Sequence, residues 1–267
     1  MSKVVLITGG SSGIGKSIGE FLHQKGFVVY GTSRNPEKVV NSIFPLVALD
    51  VRNADSIKSA VAEVIAASGR LDVVINNAGV GITGPLEEIP TEEIKNNFET
   101  NFFGPIEVMK AVLPQMREQK SGLIINITSI AGYMGLPYRS VYSASKGALE
   151  LITEALRMEV KAFGIEITNV APGDFATNIA AGRYHAPVLK GSAYEKVYGD
   201  ILSTMNEHVD AGGNPNEMAE AVYKIIQQKK PNVHYKVGAF MQKFSIVLKR
   251  ALPDKVYEKM LMNHYKL

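Results

Sequence analysis

The chain contains no cysteine. It can therefore form neither disulfides nor thiolate metal sites, a composition that suits the cytosol. Long hydrophobic runs are missing as well. The opening stretch Val4-Val5-Leu6-Ile7 is too short for a secretory signal or a membrane span and meets glycines at once, so it is read as a first strand. A basic face spread along the chain is also absent. The net charge is only +3, and residues 236–267 carry seven Lys/Arg against two Asp/Glu, which leaves the remainder slightly acidic. That distribution argues against a nucleic-acid binder, and the local excess needs a local explanation.

What is present fits one α/β domain. A chain of 267 residues with 46% hydrophobic and 21% charged side chains can bury a substantial core. Apolar runs at Val4–Ile7, Phe27–Tyr30, Leu46–Leu49, Val73–Asn76, Leu123–Ile127 and Ile165–Val170 predict buried strands. Between them Gly13–Gln24, Ala54–Ala67, Thr91–Arg117 and Val141–Phe163 predict helices. This alternation implies βαβ units, hence a doubly wound parallel sheet of Rossmann type with helices on both faces. No repeat or composition break marks a second domain within 1–267. Residues 178–214 leave the rhythm and are expected to form a substrate lid over the carboxyl ends of the strands.

Thr8-Gly9-Gly10-Ser11-Ser12-Gly13-Ile14-Gly15 follows the first strand and opens a helix. Glycines there allow a tight turn and let backbone N–H groups approach a pyrophosphate, while the helix N-terminus adds partial positive charge. Many turns carry glycine for other reasons; the position between strand and helix is what marks this one. Tyr142 and Lys146, four apart on a predicted helix, share one face. Such pairs are common on exposed helices. Ser129, thirteen residues earlier at a strand end, makes this one notable, because its hydroxyl can stabilise charge on a substrate oxygen. No Gly-x-Ser-x-Gly elbow surrounds Ser129, which argues against a serine hydrolase.

Gly9-x3-Gly13-x-Gly15, Asn76-Asn77-Ala78-Gly79, Asn101, Ser129, Tyr142-x3-Lys146 and Pro172-Gly173 with Thr177 occur in one order. Over nearly its whole length the chain thereby resembles the short-chain dehydrogenases/reductases. The resemblance implies a catalytic tetrad of Asn101, Ser129, Tyr142 and Lys146. It implies cofactor contacts from Gly9, Ser11, Ser12, Gly13, Ile14 and Gly15, and from Asn77, Ala78 and Gly79. Asp50 and Val51 would meet the adenine, while Pro172, Gly173, Phe175 and Thr177 would meet the nicotinamide end, together with Tyr142 and Lys146. It further implies a homodimer or homotetramer.

Where an NAD-type enzyme of this kind has a carboxylate after strand two, this chain has Ser33 followed by Arg34. A hydroxyl and a guanidinium suit a 2′-phosphate, so NADP(H) is expected. The expected activity is the interconversion of a carbonyl and a secondary alcohol on a hydrophobic substrate such as a keto-lipid, 3-oxoacyl or hydroxysteroid-like molecule. Tyr133, Met134, Leu136, Pro137, Phe175 and residues 178–198 are the candidates to face it. The alternative is a non-catalytic NADP(H)-binding sensor or scaffold, which retention of all four tetrad positions disfavours. In residues 236–267, Phe240, Met241, Phe244, Val247, Leu248, Ala251 and Leu252 recur at helical spacing among basic residues. This tail is open to three readings: packing on a neighbouring subunit, peripheral membrane contact, or a cover for the substrate mouth. The expected location is the cytoplasm, with membrane association under the second reading.

Overall fold

The computed structural model describes residues 2–175, 182–210 and 212–267. Its strands are β1 (Val4–Ile7), β2 (Val28–Ser33), β3 (Leu46–Ala48), β4 (Val73–Asn76), β5 (Ile82–Thr83), β6 (Gly122–Ile127), β7 (Ile165–Pro172), β8 (Tyr184–His185) and β9 (His234–Val237). The helices are α1 (Gly13–Gln24), α2 (Ala54–Ser68), α3 (Thr91–Phe98), α4 (Gly104–Gln119), α5 (Ser140–Glu159), α6 (Glu195–Asp210), α7 (Pro215–Ile226), α8 (Phe240–Ala251) and α9 (Asp254–Tyr265). Seven strands form one sheet in the order β3-β2-β1-β4-β6-β7-β9, every neighbouring pair parallel. The short β5 and β8 pair separately, also in parallel.

Strand pleating divides the apolar residues between two cores. Leu6, Val74, Ile124 and Ile167 join Ile57, Val61, Val108, Val112 and Leu149 from α2, α4 and α5 on one face. Val5, Ile7, Ile75 and Ile125 join Ile14, Ile18, Leu22, Met218 and Val222 from α1 and α7 on the other. Alternate residues of a strand point to opposite faces, so β1 feeds both layers. The expected doubly wound sheet is what the chain forms. After β3 the chain crosses to the other side of β1, so β1 and β4 flank the reversal of strand order, where open α/β sheets bind ligands.

Three differences from the sequence expectation have local causes. The predicted helix Thr91–Arg117 is interrupted by a wide helical turn at Glu99–Phe103. Pro105 has no N–H to return to Asn101, and Gly104 lies so close to Val51 that a Cβ there would be 2.9 Å from the valine carbonyl oxygen and its Cβ. The second strand starts at Val28 and runs on to Ser33, past the predicted end at Tyr30, because Gly31, Thr32 and Ser33 pair with Leu46, Val47 and Ala48. The seventh strand, His-Tyr-Lys-Val, is half-buried and carries no apolar run to announce it.

Behind the glycine loop the backbones nearly touch. A Cβ on Gly10 would lie 2.7 Å from the Gly31 Cα, a clash with main chain that no rotamer change relieves. Gly10→Ala is expected to cost about 1–3 kcal/mol by overpacking, lowering Tm by roughly 5 °C in thermal unfolding. An unchanged Tm would show that loop and strand have slack.

Candidate active site

Two connected hollows open at the carboxyl ends of β1, β4 and β6. The larger, about 520 Å³, runs from Arg34, Asp50 and Arg52 past the glycine loop to Val80. The smaller, about 80 Å³, holds Ser129, Tyr142, Pro172, Gly173 and Phe175. Ile14, Gly81 and Ile82 border both.

Gly9, Ser11, Ser12, Gly13 and Ile14 line the larger hollow. Gly9 and Gly13 have φ of +66° and +54°, the left-handed region that glycine occupies without strain. No side chain caps the first turn of α1, so its N–H groups remain available to an anion. The chain thus offers a phosphate cradle of the form a dinucleotide requires. Gly15, expected to contact the cofactor, is not on this wall. A Cβ there would sit 2.4 Å from both Asn77 Nδ2 and the Gly9 carbonyl oxygen, so its missing side chain lets the loop close on β4. Asn77 completes the closure, its Nδ2 donating to the carbonyls of Thr8 at 2.9 Å and Gly9 at 3.2 Å.

At the far end of the hollow Ser33, Arg34, Asp50 and Val51 all lie where expected, joined by Arg52, which the sequence reading missed. Burial pushes the Asp50 carboxyl up, but the Arg52 N–H, the Arg52 guanidinium and the Arg34 charge outweigh it and hold the acid below its ordinary value. The Arg52–Asp50 contact is 3.4 Å, and Arg34 makes no ion pair among the described residues.

The four tetrad candidates converge. The Lys146 Nζ donates to the Ile127 carbonyl at 3.0 Å. A Cβ on Gly79 would lie 3.3 Å from that Nζ and 3.2 Å from Asn101 Oδ1, so this glycine keeps open the space between them. Asn101, in the wide turn, receives the Val80 N–H on Oδ1 and donates Nδ2 to the Val80 carbonyl, both at 2.9 Å. Ser145 bridges the Asn101 amide at 3.3 Å to the Tyr142 carbonyl at 2.9 Å. Ser129 Oγ accepts from the Ala131 N–H at 3.1 Å and lies with the Tyr142 side chain on the wall of the smaller hollow.

Burial sets the protonation of this group. It raises the Tyr142 phenol above its ordinary value against the lowering influence of Ser129, Arg139 and Arg183, so the hydroxyl keeps its proton at neutral pH. It pulls Lys146 down to about 8 against the opposing Glu150 carboxylate one turn along α5. Glu150 is itself buried beneath Thr128, Tyr133 (2.9 Å), Asn169 (3.0 Å) and His234 (2.8 Å), a cluster the sequence reading did not find.

Several expectations about the substrate wall are corrected. Tyr133, Met134 and Leu136 pack with Ile246 and Tyr257 of α8 and α9, and Pro137 is not on the wall of either hollow. The tail segment that covers them drew them off the site. Phe175 does line the smaller hollow, as does Arg183 from the 178–198 candidates, and Arg139 and Asp174 stand there unforeseen. Thr177 and 178–181 of the expected lid lie outside the described residues. Beyond them β8 pairs with β5, closing part of the 178–214 segment over the site. Gln242 of α8 donates to Asp174 at 2.8 Å on the wall of the smaller hollow, so the tail borders the mouth. No helix of the described residues is long and apolar enough to cross a membrane.

Residues 3–187 match the family model of the short chain dehydrogenases. The chain belongs to this family. A 3-ketodihydrosphingosine reductase from Bacteroides thetaiotaomicron is 40% identical over 266 residues, 99% of this chain and 98% of the relative. The crystal structure of a short-chain dehydrogenase from Streptomyces avermitilis superposes with a TM-score of 0.86 at 32% identity, covering 100% of this chain and 97% of the other. An alcohol dehydrogenase from Thermococcus sibiricus, solved with 5-hydroxy-NADP, reaches a TM-score of 0.72 at 26% identity over 90% of this chain and 97% of the other. This short-chain dehydrogenase is accordingly an oxidoreductase.

The depressed Lys146 predicts a pH-dependent stability. Below pH 8 the folded protein must hold a buried ammonium, and that cost disappears as pH climbs from about 8 towards the ordinary lysine value. Lys146→Met is therefore expected to gain stability relative to wild type at pH 7. The gain should shrink by on the order of 1–2 kcal/mol at pH 9.5 in urea unfolding. A pH-independent difference would contradict the desolvated amine.

Proposed function

We propose that this dehydrogenase uses NADP(H) to interconvert a carbonyl and a secondary alcohol on a hydrophobic, keto-lipid-like substrate. The observation that carries the reading is the convergence of Ser129, Tyr142, Lys146 and Asn101 beside a dinucleotide-sized hollow. When bound, the nicotinamide supplies or accepts the hydride. The protein's own share is the proton. Tyr142, kept protonated by burial, donates to the substrate oxygen as negative charge grows there, and the Ser129 hydroxyl shares that charge. The Lys146 ammonium then favours the phenolate left behind. Asn101 and Ser145 fix the backbone around them.

The 2′-phosphate preference rests on Ser33, Arg34 and Arg52, with no carboxylate in the Ser33 position. The similarity to a 3-ketodihydrosphingosine reductase and to a structure solved with an NADP derivative supports both parts of the proposal. A sensor without turnover is the less favoured reading, because it has no use for a desolvated Lys146 beside a protonated phenol.

We extend the proposal to two surfaces. Exposed Phe103, Leu151, Met158 and Phe163 flank α4 and α5 and suit a homodimer or homotetramer. Phe240, Met241, Phe244 and Val247 expose an apolar stripe on α8 near Lys243, Lys249 and Arg250, which suits peripheral contact with an anionic cytoplasmic membrane.

Tyr142→Phe is expected to lower kcat by about 10²–10⁴-fold while leaving NADPH affinity intact; parallel loss of binding and turnover would remove the proton-transfer role. Arg34→Ala should weaken NADPH by roughly tenfold or more, the loss of a charge-assisted hydrogen bond, with NADH hardly changed. Calorimetric titration reads both cofactors, and equal weakening would remove the 2′-phosphate contact.

A further inference from the structure

The smaller hollow contains more positive charge than a neutral ketone needs. Arg139 and Arg183 both line it beside Tyr142 and Ser129. Among the described residues neither guanidinium forms an ion pair with a carboxylate, although ten other basic side chains do. The Arg183 Nη1 is buried and has no hydrogen-bond partner among the described residues, and the same is true of the Thr83 hydroxyl on the same wall. Buried donors without partners are uncommon in folded proteins, because each forfeits its hydration without replacement. Two on one wall of a small cavity indicate a missing ligand atom that accepts hydrogen bonds.

The backbone is arranged to hold this pair. Arg183 precedes β8, whose pairing with β5 is pinned by Tyr184 N–H to the Gly81 carbonyl at 3.1 Å and Ala186 N–H to the Thr83 carbonyl at 2.9 Å. Its stem lies over Gly81, where a Cβ would be 2.7 Å from Arg183 Cγ. Arg139 stands at the start of α5, after Tyr138 in the left-handed region at φ +58°. A bulky residue there is strained, and it is held by the Gly84 N–H on its carbonyl at 2.9 Å and by its ring against Tyr198 at 5.4 Å. The strain presents Arg139 one turn before Tyr142.

The third charged group on this wall, Asp174, does not neutralise the pair. Its Oδ2 accepts from Gln242 Nε2 at 2.8 Å, and two cations against one anion leave a net positive chamber. The field is felt nearby: burial and then the two guanidinia push the His185 imidazole below its ordinary value. Like charges this close are costly in a partly dry cavity unless an anion joins them.

We propose that Arg139, Arg183 and the Thr83 hydroxyl form a subsite for an anionic head group, a carboxylate or phosphate, carried by the substrate close to its reacting carbonyl. This deepens the oxidoreductase reading and rests on it for the identity of the bound molecule as substrate. A planar guanidinium grips either anion through two hydrogen bonds, and a second guanidinium with a hydroxyl completes the set. The subsite would place the carbonyl by its head group and leave the hydrocarbon to Ile14, Ile82 and Phe175. It would also discriminate against substrates with an ammonium in that position.

Calorimetric titration of the full chain with hexanoate, hexyl phosphate and hexan-1-ol tests this without requiring turnover. At least one anion is expected to bind about tenfold or more tighter than the alcohol, the worth of a charged hydrogen bond. That preference should fall about tenfold in both Arg183→Gln and Arg139→Gln, whichever of carboxylate or phosphate is preferred. Equal binding of all three probes, or an anion preference that survives both substitutions, overturns the subsite. NADPH titrated into the same proteins shows that the variants are folded. If both lose NADPH affinity along with the anions while their thermal unfolding is unchanged, the pair serves the cofactor and the proposal fails. A wild type that binds the anions but neither binds NADPH nor reduces ketones keeps the subsite and sinks the proposed NADP(H)-dependent ketone reduction instead.

Discussion

The active-site geometry depends on how closely the loop after β1 approaches the loop after β4. Gly15 leaves a space that the Asn77 amide fills, and Asn77 ties the two strand ends together through the carbonyls of Thr8 and Gly9. Thr8 answers from the other side, its hydroxyl receiving the N–H groups of Asn77 and Ala78 at 3.0 Å. The junction fixes the floor of the cofactor hollow and aims the open end of α1 into it. It also sets the position of Gly79, whose missing side chain leaves open the space between Lys146 and Asn101. A side chain at either glycine would disturb the phosphate cradle and the proton-transfer group together.

Burial then determines the chemistry available at the junction. Lys146 is buried and Tyr142 half-buried at the wall of the smaller hollow, and both are moved towards their neutral forms, the amine to about 8 and the phenol above its ordinary value. The opposing influence comes from groups behind and in front of them. Glu150, clasped by Thr128, Tyr133, Asn169 and His234, supplies negative charge from the core side. Arg139 and Arg183 supply positive charge from the wall of the smaller hollow. The phenol lies between these fields. The tail takes part through α8, whose Gln242 holds Asp174 at the wall of the same chamber.

Much of the fold was legible in the chain. Buried strands such as Val4–Ile7 and Val73–Asn76 announce themselves as apolar runs, and the glycine loop between strand and helix identifies its own use. The tetrad was legible as what the resemblance implies; periodicity by itself placed only Tyr142 and Lys146 on one helix face, with Ser129 at a strand end. Pro105 was visible too, yet its effect on the helix around Asn101 was not, since the close approach of Gly104 to Val51 depends on tertiary packing. His234–Val237 pairs at a sheet edge without an apolar signature, and its strand conformation is supplied by β7.

Sequence alone determined which chemical groups exist and which of them share a strand end or a helix face, because periodicity and loop chemistry are local. It fixed the parallel architecture, the phosphate cradle and the Tyr142–Lys146 spacing. Tertiary structure decided what surrounds those groups. It removed Tyr133, Met134 and Leu136 to a contact with α8 and α9, and it brought Arg139 and Arg183 from segments 44 residues apart to one wall. It also buried Lys146 deeply enough to change its protonation. Desolvation and charge pairing depend on every atom within several ångströms, and those neighbours come from segments far apart in the chain.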